Sequence, residues 1–328
     1  MLTADSLNPT VMTIPEIIES KEKGFSIEVL PPLKGKGINQ LFDNIDRLKE
    51  FDPSYINITT HRSELVYRST ANGLYQRVTE RARPGTVAVA AAIQQRYSIP
   101  AVPHIICSGY SKLETEYALI DLSFLGITNL LVLRGDKAKH DSRFTPNENG
   151  HCHANELQQQ INAFNQGQFI DGTEMDIVAE QPFDYGVAGY PEKHDESPNL
   201  EIDLYWLKQK VDLGASYIVT QMFFDNDSYF SFVKKCREIG ITVPIIPGIK
   251  PIVTKNQLTV LPKVFHVDIP TDLAKALMAC RDDKEAKEVG VEWFTAQIKG
   301  LYAGGVKSVH IYSLNATGSV EKSLKSIF

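Results

Sequence analysis

Eight short apolar runs recur along the chain, and most end in a polar or charged residue where the run meets its loop. They are FSIEVL (25–30), YINIT (55–59), AVPHIIC (101–107), NLLVLR (129–134), YGVAG (185–189), YIVTQ (217–221), VPIIPG (243–248) and VHIYS (309–313). Amphipathic stretches of helical length separate most of them. That alternation predicts a parallel sheet joined by crossover helices. Eight repeats fit a closed (β/α)8 TIM barrel better than an open sheet, and such a barrel carries its chemistry where the strands end. The first candidates therefore stand at or just past the run ends: Glu28, Thr59, His104, Arg134, Asp136, Tyr190, His194, Gln221 and Tyr312.

Between the runs, helices are read from apolar spacing and end signals. Residues 1–24 read as a leading helical extension stopped by Gly24, and 25–328 as the barrel. A helix over roughly 38–50 puts Leu41, Ile45, Leu48 and Phe51 on one face. Ser111 followed by Glu114 is a capping-box pattern opening a helix over about 111–125, which Gly126 ends. Further helices are expected in ANELQQQINAF, DLYWLKQKVDLGA, NDSYFSFVKKCREIG and EVGVEWFTAQIKGLYAGG. Two long polar stretches, 137–175 and 190–202, follow strand ends and are expected to stand over the barrel mouth.

Composition narrows the field. A (β/α)8 barrel takes about 250 residues and tolerates insertions, so the 328 residues suit one decorated domain. A net charge of −6 argues against a nucleic-acid surface. No apolar stretch reaches the ~18 residues of a membrane helix, and the N-terminus lacks the pattern of a signal peptide. A cytoplasmic protein is expected. The four cysteines, at 107, 152, 236 and 280, form no CxxC pair and read as reduced thiols.

Glu28 is the most unusual position, an acid inside a run otherwise fit for burial. With period two it shares a face with Ser26. Pointing into a barrel, it would be desolvated, its pKa raised, and able to act as a general acid; the alternative is a buried glutamate satisfied by a structural partner. Arg134-Gly135-Asp136 is either a ligand-contacting rim or an ordinary strand-end turn with a local ion pair. Tyr190 and His194, four residues apart on a loop, suit a planar ligand or solvent equally. Gln221 at a strand end suits recognition of a heteroaromatic edge, whereas Phe223 and Phe224 read more readily as packing. His151-Cys152-His153 invites a zinc reading, but the spacing is tight and no second Cys/His pair lies nearby. Neither a GxxxxGK[ST] phosphate loop nor a GxGxxG fingerprint is present. Any nicotinamide or flavin must be held by the mouth loops. A metal-dependent hydrolase using His61, His104, Asp136 and His194 is a second reading, and a non-catalytic ligand-binding barrel a third.

The strings FSIEVLPP, PHIIC, LVLRGD, VAGYPEKH, DLYWLKQKVDLGA, TQMFFD, VPIIPGI and HIYSLN, in this order over about 25–315, resemble the methylenetetrahydrofolate reductases. The resemblance implies a (β/α)8 barrel with noncovalent FAD across its mouth and NADH or NADPH as hydride donor. It implies reduction of 5,10-methylenetetrahydrofolate to 5-methyltetrahydrofolate, within one-carbon metabolism and methionine biosynthesis, and a homo-oligomer. It makes Glu28 the acid that opens the folate's five-membered ring and puts Asp136 beside flavin and pterin. Gln221 and Tyr312 fall at the substrate. Thr59, His104, Arg134, Gly135, Asp136, His153, Ala154, Tyr190, His194, Asp203 and Lys210 fall to FAD, with Arg134 and Lys210 as pyrophosphate partners by charge. No resident metal is implied. The chain departs at Ala316, where many members have a substrate-facing arginine; Lys275 is the expected replacement. Trp206 and Gln209 also depart, at the adenine end. The S-adenosylmethionine-binding regulatory domain of larger members is expected to be absent.

Overall fold

The computed structural model describes residues 11–138, 141–314 and 316–328. Within these, the expected parallel barrel forms. Its strands are β1 (Gly24–Val29), β2 (Ile56–Ile58), β5 (Ala101–Ile106), β6 (Asn129–Leu133), β7 (Asp184–Gly189), β8 (Tyr217–Thr220), β9 (Ile245–Ile246), β10 (Gly248–Ile249) and β11 (Ser308–Ile311). They are parallel neighbours in the order β10-β11-β1-β2-β5-β6-β7-β8-β9. The terminal pair, β9 and β10, flank Pro247 and are one stave broken by a residue with no N–H to give the ladder. The ring closes across this break, since β8 pairs with β9, β10 with β11, and the His310 amide donates to the Pro247 carbonyl. Eight staves result, as the run count predicts.

Alternate residues divide two cores, as the pleat requires. Phe25, Ile27 and Val29 of β1, with their counterparts from the other strands, pack outward against the helices. Among these helices are α2 (Asn39–Leu48), α3 (Thr86–Tyr97), α4 (Lys112–Phe124), α5 (Ala154–Asn165), α6 (Leu200–Asp212), α7 (Asn226–Glu238) and α10 (Asp283–Ala303). α2 buries Leu41, Ile45 and Leu48, the expected face. α4 opens with the expected capping box between Ser111 and Glu114. The leading helix is short: α1 (Ile14–Glu19) is opened by a Thr13–Glu16 capping box, and residues 1–10 of the expected extension lie outside the described residues. Gly24 begins β1 rather than ending that helix. α1 presses Ile14, Ile17 and Ile18 against Tyr55, Val102, Leu131, Tyr217, Val219 and Ile246, inside the ring near the strands' N-terminal ends. Asn129 donates to the Met12 carbonyl and Lys307 pairs with Glu19, both from strand starts, so α1 stoppers the bottom of the barrel.

Several elements stand beyond the eight-fold plan. An antiparallel hairpin, β3 (Glu64–Ser69) and β4 (Tyr75–Glu80), rises between β2 and α3. Two helices, α8 (Gln257–Phe265) and α9 (Thr271–Ala279), form a separate apolar cluster with Met222, Phe224 and Ile252 before α10. α11 (Thr317–Leu324) follows the last strand. Among the described residues no helix is long and apolar enough to cross a membrane.

Candidate active site at the barrel mouth

The upper interior of the ring is polar. Ser26 and Glu28 of β1, Asn57 of β2, His104 of β5 and His310 of β11 are all buried there. Parallel register sets Glu28 beside Asn57 and Ser26 beside His310. Glu28 Oε2 lies 3.6 Å from His310 Nε2 and 3.7 Å from His104 Nε2. Both separations exceed a hydrogen bond, so the contacts are electrostatic.

The side-chain bonds fit one proton arrangement, with the Asn57 amide oriented by the network itself, and it leaves His310 Nε2 buried without a hydrogen-bond partner among the described residues. His104 Nε2–H donates to Asn57 Oδ1 at 3.3 Å. The Asn57 amide nitrogen then faces His310 Nδ1 at 3.4 Å, and the Ser26 hydroxyl donates to the same nitrogen at 2.8 Å. His310 thus carries its proton on Nε2, aimed at the Glu28 carboxylate. Burial pushes the His104 imidazole down to about 4 against the pull of Glu28, so it is neutral at pH 7. For Glu28 itself burial pushes upward, but His310, His104 and the Lys250 ammonium together hold the carboxyl below its ordinary value. The raised pKa expected from an apolar strand is therefore corrected: the neighbours that reverse it come from β5, β11 and the residue after β10.

Around this centre stands a rim built at the strand ends. Thr59 caps β2, its hydroxyl 3.4 Å from the Val29 carbonyl. Arg134, after β6, grips Glu196 through both carboxylate oxygens and lies 4.8 Å from the Phe144 ring centroid. Gly135 has φ +79°, and a Cβ there would stand 3.2 Å from the Ile106 Cβ. The backbone is bare at this point because a side chain would be both strained and crowded. Asp136 is exposed, and its carbonyl accepts from the Ser108 hydroxyl at 2.6 Å. Nearby, Arg62 reaches toward Ser108 while its Nε is buried without a hydrogen-bond partner.

The loop after β7 closes the next sector. The Tyr190 and His194 rings meet edge to face with centroids 4.7 Å apart. Asp203 receives the Ser197 hydroxyl at 2.9 Å and the His194 amide at 3.2 Å, so it holds this loop in shape. Glu192 accepts the Asp268 amide at 2.8 Å, tying the loop to the α8–α9 connection, and burial pushes its carboxyl up to about 7. Lys210 is turned under β7, donating to the Ala188 carbonyl at 2.7 Å, and burial pushes its ammonium down to about 8. Its charge thus serves a strand carbonyl. His153 is the N-cap residue of α5, with Ala154 as first helical residue, and makes no side-chain cap bond.

Across the mouth, the Tyr312 hydroxyl donates to the Thr220 carbonyl at 2.7 Å and its ring meets His310 edge to face. Gln221 is half-buried, its side-chain oxygen accepting the Met222 amide at 2.9 Å. Lys275 lies exposed on α9, with no described contact to the mouth, and Ala316 is buried. A cleft of about 290 Å³ opens at Glu28 between the segments that follow β1 and β11.

Most sequence-predicted positions therefore gather at one mouth. The metal reading does not. Among the described residues no group of three His, Cys, Asp or Glu can hold an ion. His151 is buried with Nε2 2.6 Å from Gln160 Oε1, and Cys152 is exposed. His104 faces Asn57 and Glu28, His194 lies against Tyr190 and Asp195, and Asp136 is exposed. Sequence reasoning passed over Asn57, Lys250 and His310. Asn57 and His310 carried the signal that singled out Glu28, a polar side chain at period two within an apolar run. Lys250 falls just beyond its run.

Comparison with known proteins agrees with this geometry. The family model described as methylenetetrahydrofolate reductase matches residues 13–327. The chain is 33% identical over 315 residues to "Methylenetetrahydrofolate reductase (NADH) 1" of Zea mays, covering 92% of this chain and 48% of that one. It is 31% identical over 291 residues to "5,10-methylenetetrahydrofolate reductase" of Escherichia coli, covering 88% and 86%. The chain spans about half the length of the plant relatives it matches. A solved Clostridium thermocellum protein described as binding two copies of 5-methyl-5,6,7,8-tetrahydrofolic acid shares the fold, with TM-score 0.55 and 15% identity, covering 94% and 97%.

Proposed function

The chain belongs to the methylenetetrahydrofolate reductase family, and on that premise we propose that it reduces 5,10-methylenetetrahydrofolate to 5-methyltetrahydrofolate with FAD and a reduced nicotinamide nucleotide. The observation that carries the proposal is Glu28, buried at the base of the mouth between two imidazoles. FAD fits the rim on chemical grounds. Gly135 offers bare backbone, Tyr190 and His194 offer flat faces, and Arg62 brings a buried N–H without a partner. Thr59, His104, Arg134, Gly135, Asp136, His153, Ala154, Tyr190 and His194 are the residues to hold it. Asp203 and Lys210 support from behind, so Arg134 and Arg62 are better placed than Lys210 for a pyrophosphate. When bound, the flavin supplies a two-electron carrier that accepts hydride from the nicotinamide and passes it to the folate's methylene carbon.

The residues of this chain do the rest. Gln221, Asp136 and Tyr312 orient the pterin at the mouth. Glu28 gives a proton to the folate nitrogen that leaves the methylene carbon, opening the five-membered ring to an iminium. In the open site Glu28 is ionised, so the proton is taken up when a planar ligand covers the mouth. Covering it removes the remaining water and raises the carboxyl's pKa. His310 Nε2–H faces that carboxylate and keeps it aimed. The two substrates use one mouth in turn, a ping-pong order. A cytoplasmic homo-oligomer belongs to the same reading.

The test is spectroscopic. The purified protein should be yellow, bleach with NADH or NADPH under anaerobic conditions, and regain colour on adding the folate. Glu28→Gln should bleach normally yet lose at least 100-fold in the folate half-reaction, within the range of general acid catalysis. Wild-type folate reduction by that variant would remove Glu28 from the mechanism; a colourless protein with no affinity for flavin would remove the reductase reading.

A further inference from the structure

The cleft beside Glu28 is lined by Leu30, Pro31, Gln40, Asn44, Leu314 and Thr317, with Lys36 and Arg83 as its cations. Glu28 is buried and Lys36 exposed, so the cleft runs from the carboxyl outward to solvent. At about 290 Å³ it is smaller than a complete small-molecule pocket, roughly 300–1,000 Å³, and suits part of a ligand.

Among the described residues its two cations have no counterions. Arg83 leaves the base of the β3–β4 hairpin, and its guanidinium donates to the Pro31 carbonyl, a neutral partner. Burial pulls its pKa down, and no carboxylate pairs with it among the described residues. Lys36 likewise has no ion pair, although its neighbour Lys34 is paired with Glu80. The hairpin base is fixed here, since the Lys34 amide donates to the Ala82 carbonyl at 2.8 Å. A half-buried guanidinium with only a carbonyl to bind is a vacant half of an ion pair.

We propose that Lys36 and Arg83 bind the carboxylates of the folate's glutamate tail, with the cleft taking the tail while the pterin lies over Glu28. This rests on the reductase reading. The ligand that needs Glu28 must occupy the cleft's inner end, and a folate carries its negative charge at the opposite end from its pterin. The cations stand where that end emerges. They come from the segment before α2 and the segment between β4 and α3, not from α9, so Lys275 is replaced in this role.

The nicotinamide nucleotide is the other anion that visits the mouth, and the half-reactions separate the two. Flavin-loaded wild type, Arg83→Gln, Arg83→Lys and Lys36→Gln are compared by stopped flow with mono- and triglutamyl methylenetetrahydrofolate and, separately, with NADH. Arg83→Gln should raise the folate KM roughly tenfold, the loss of one charge-assisted contact, and Arg83→Lys should recover part of it. Lys36→Gln, at an exposed site that does not threaten folding, should shift the KM in the same direction, most for the triglutamate. The NADH-driven half-reaction should hold its rate in all three. An unchanged folate KM in both glutamine variants, or a defect confined to the NADH step, would overturn the assignment. Wild type that never reduces the folate would instead refute the reductase reading itself.

Discussion

Replacing His104 with asparagine should make the protein less sensitive to mild acid. His104 is buried at 5% exposure and its imidazole lies at about 4, against 6.5 in an unfolded chain. The native state therefore refuses a proton that the unfolded state accepts. The stability this contributes is complete above pH 6.5 and drains away as pH falls from 6.5 toward 4. Linkage over those two values gives about 2 kcal/mol lost between pH 7 and pH 5 from this one group. His104→Asn keeps an N–H for Asn57 Oδ1 but does not titrate. Urea unfolding of both proteins at pH 7 and pH 5, without added flavin, reads the difference directly. His151 and His194, also pushed down by burial, affect both proteins alike and cancel. Glu28, held low, loses its contribution only below its ordinary value of 4.5, outside this window. The wild type should lose about 2 kcal/mol more than the variant over this interval. Equal losses would show that His104 protonates normally in the fold, and the tautomer chain from His104 to Glu28 would fall with it.

Two further substitutions test the frame. At Gly248 an added Cβ would lie 2.1 Å from the Thr220 carbonyl oxygen and 2.7 Å from the Tyr312 ring. Gly248→Ala should therefore destabilise by about 1–3 kcal/mol and displace Tyr312, seen as a lower melting temperature and an altered near-UV tyrosine signal; an unchanged melt would contradict the crowding. Ser111→Ala breaks the reciprocal cap with Glu114 at the start of α4 and should cost about 1 kcal/mol in urea unfolding, whereas a neutral result would mean that the helix start is held by packing alone.

The repeat of apolar runs made the barrel legible, because each stave buries both faces and writes a short run into the chain. Apolar spacing placed α2, and a capping box with a glycine stop placed α4, each a local signal. The hairpin escaped. Its strands lie outside the barrel and expose Tyr67 and Tyr75, so they leave no run, although Asn72-Gly73 between alternating residues was a usable turn signal. α8 and α9 bury a cluster of their own and follow no strand rhythm. At the site, the position of Glu28 could be read from its neighbours in sequence, but its protonation could not. That depends on His104, Lys250 and His310, which lie 76, 222 and 282 residues further along the chain and meet the carboxyl only when the ring closes.

The helix at the lower end adds its isoleucines to side chains that already fill the ring, so the barrel is a cup open at its upper mouth alone. Nothing can pass through it, so every molecule arrives and departs by the same opening. On the proposed reductase reading, a spent visitor blocks the next one until it leaves, and order of service becomes a matter of departure rates rather than of recognition alone.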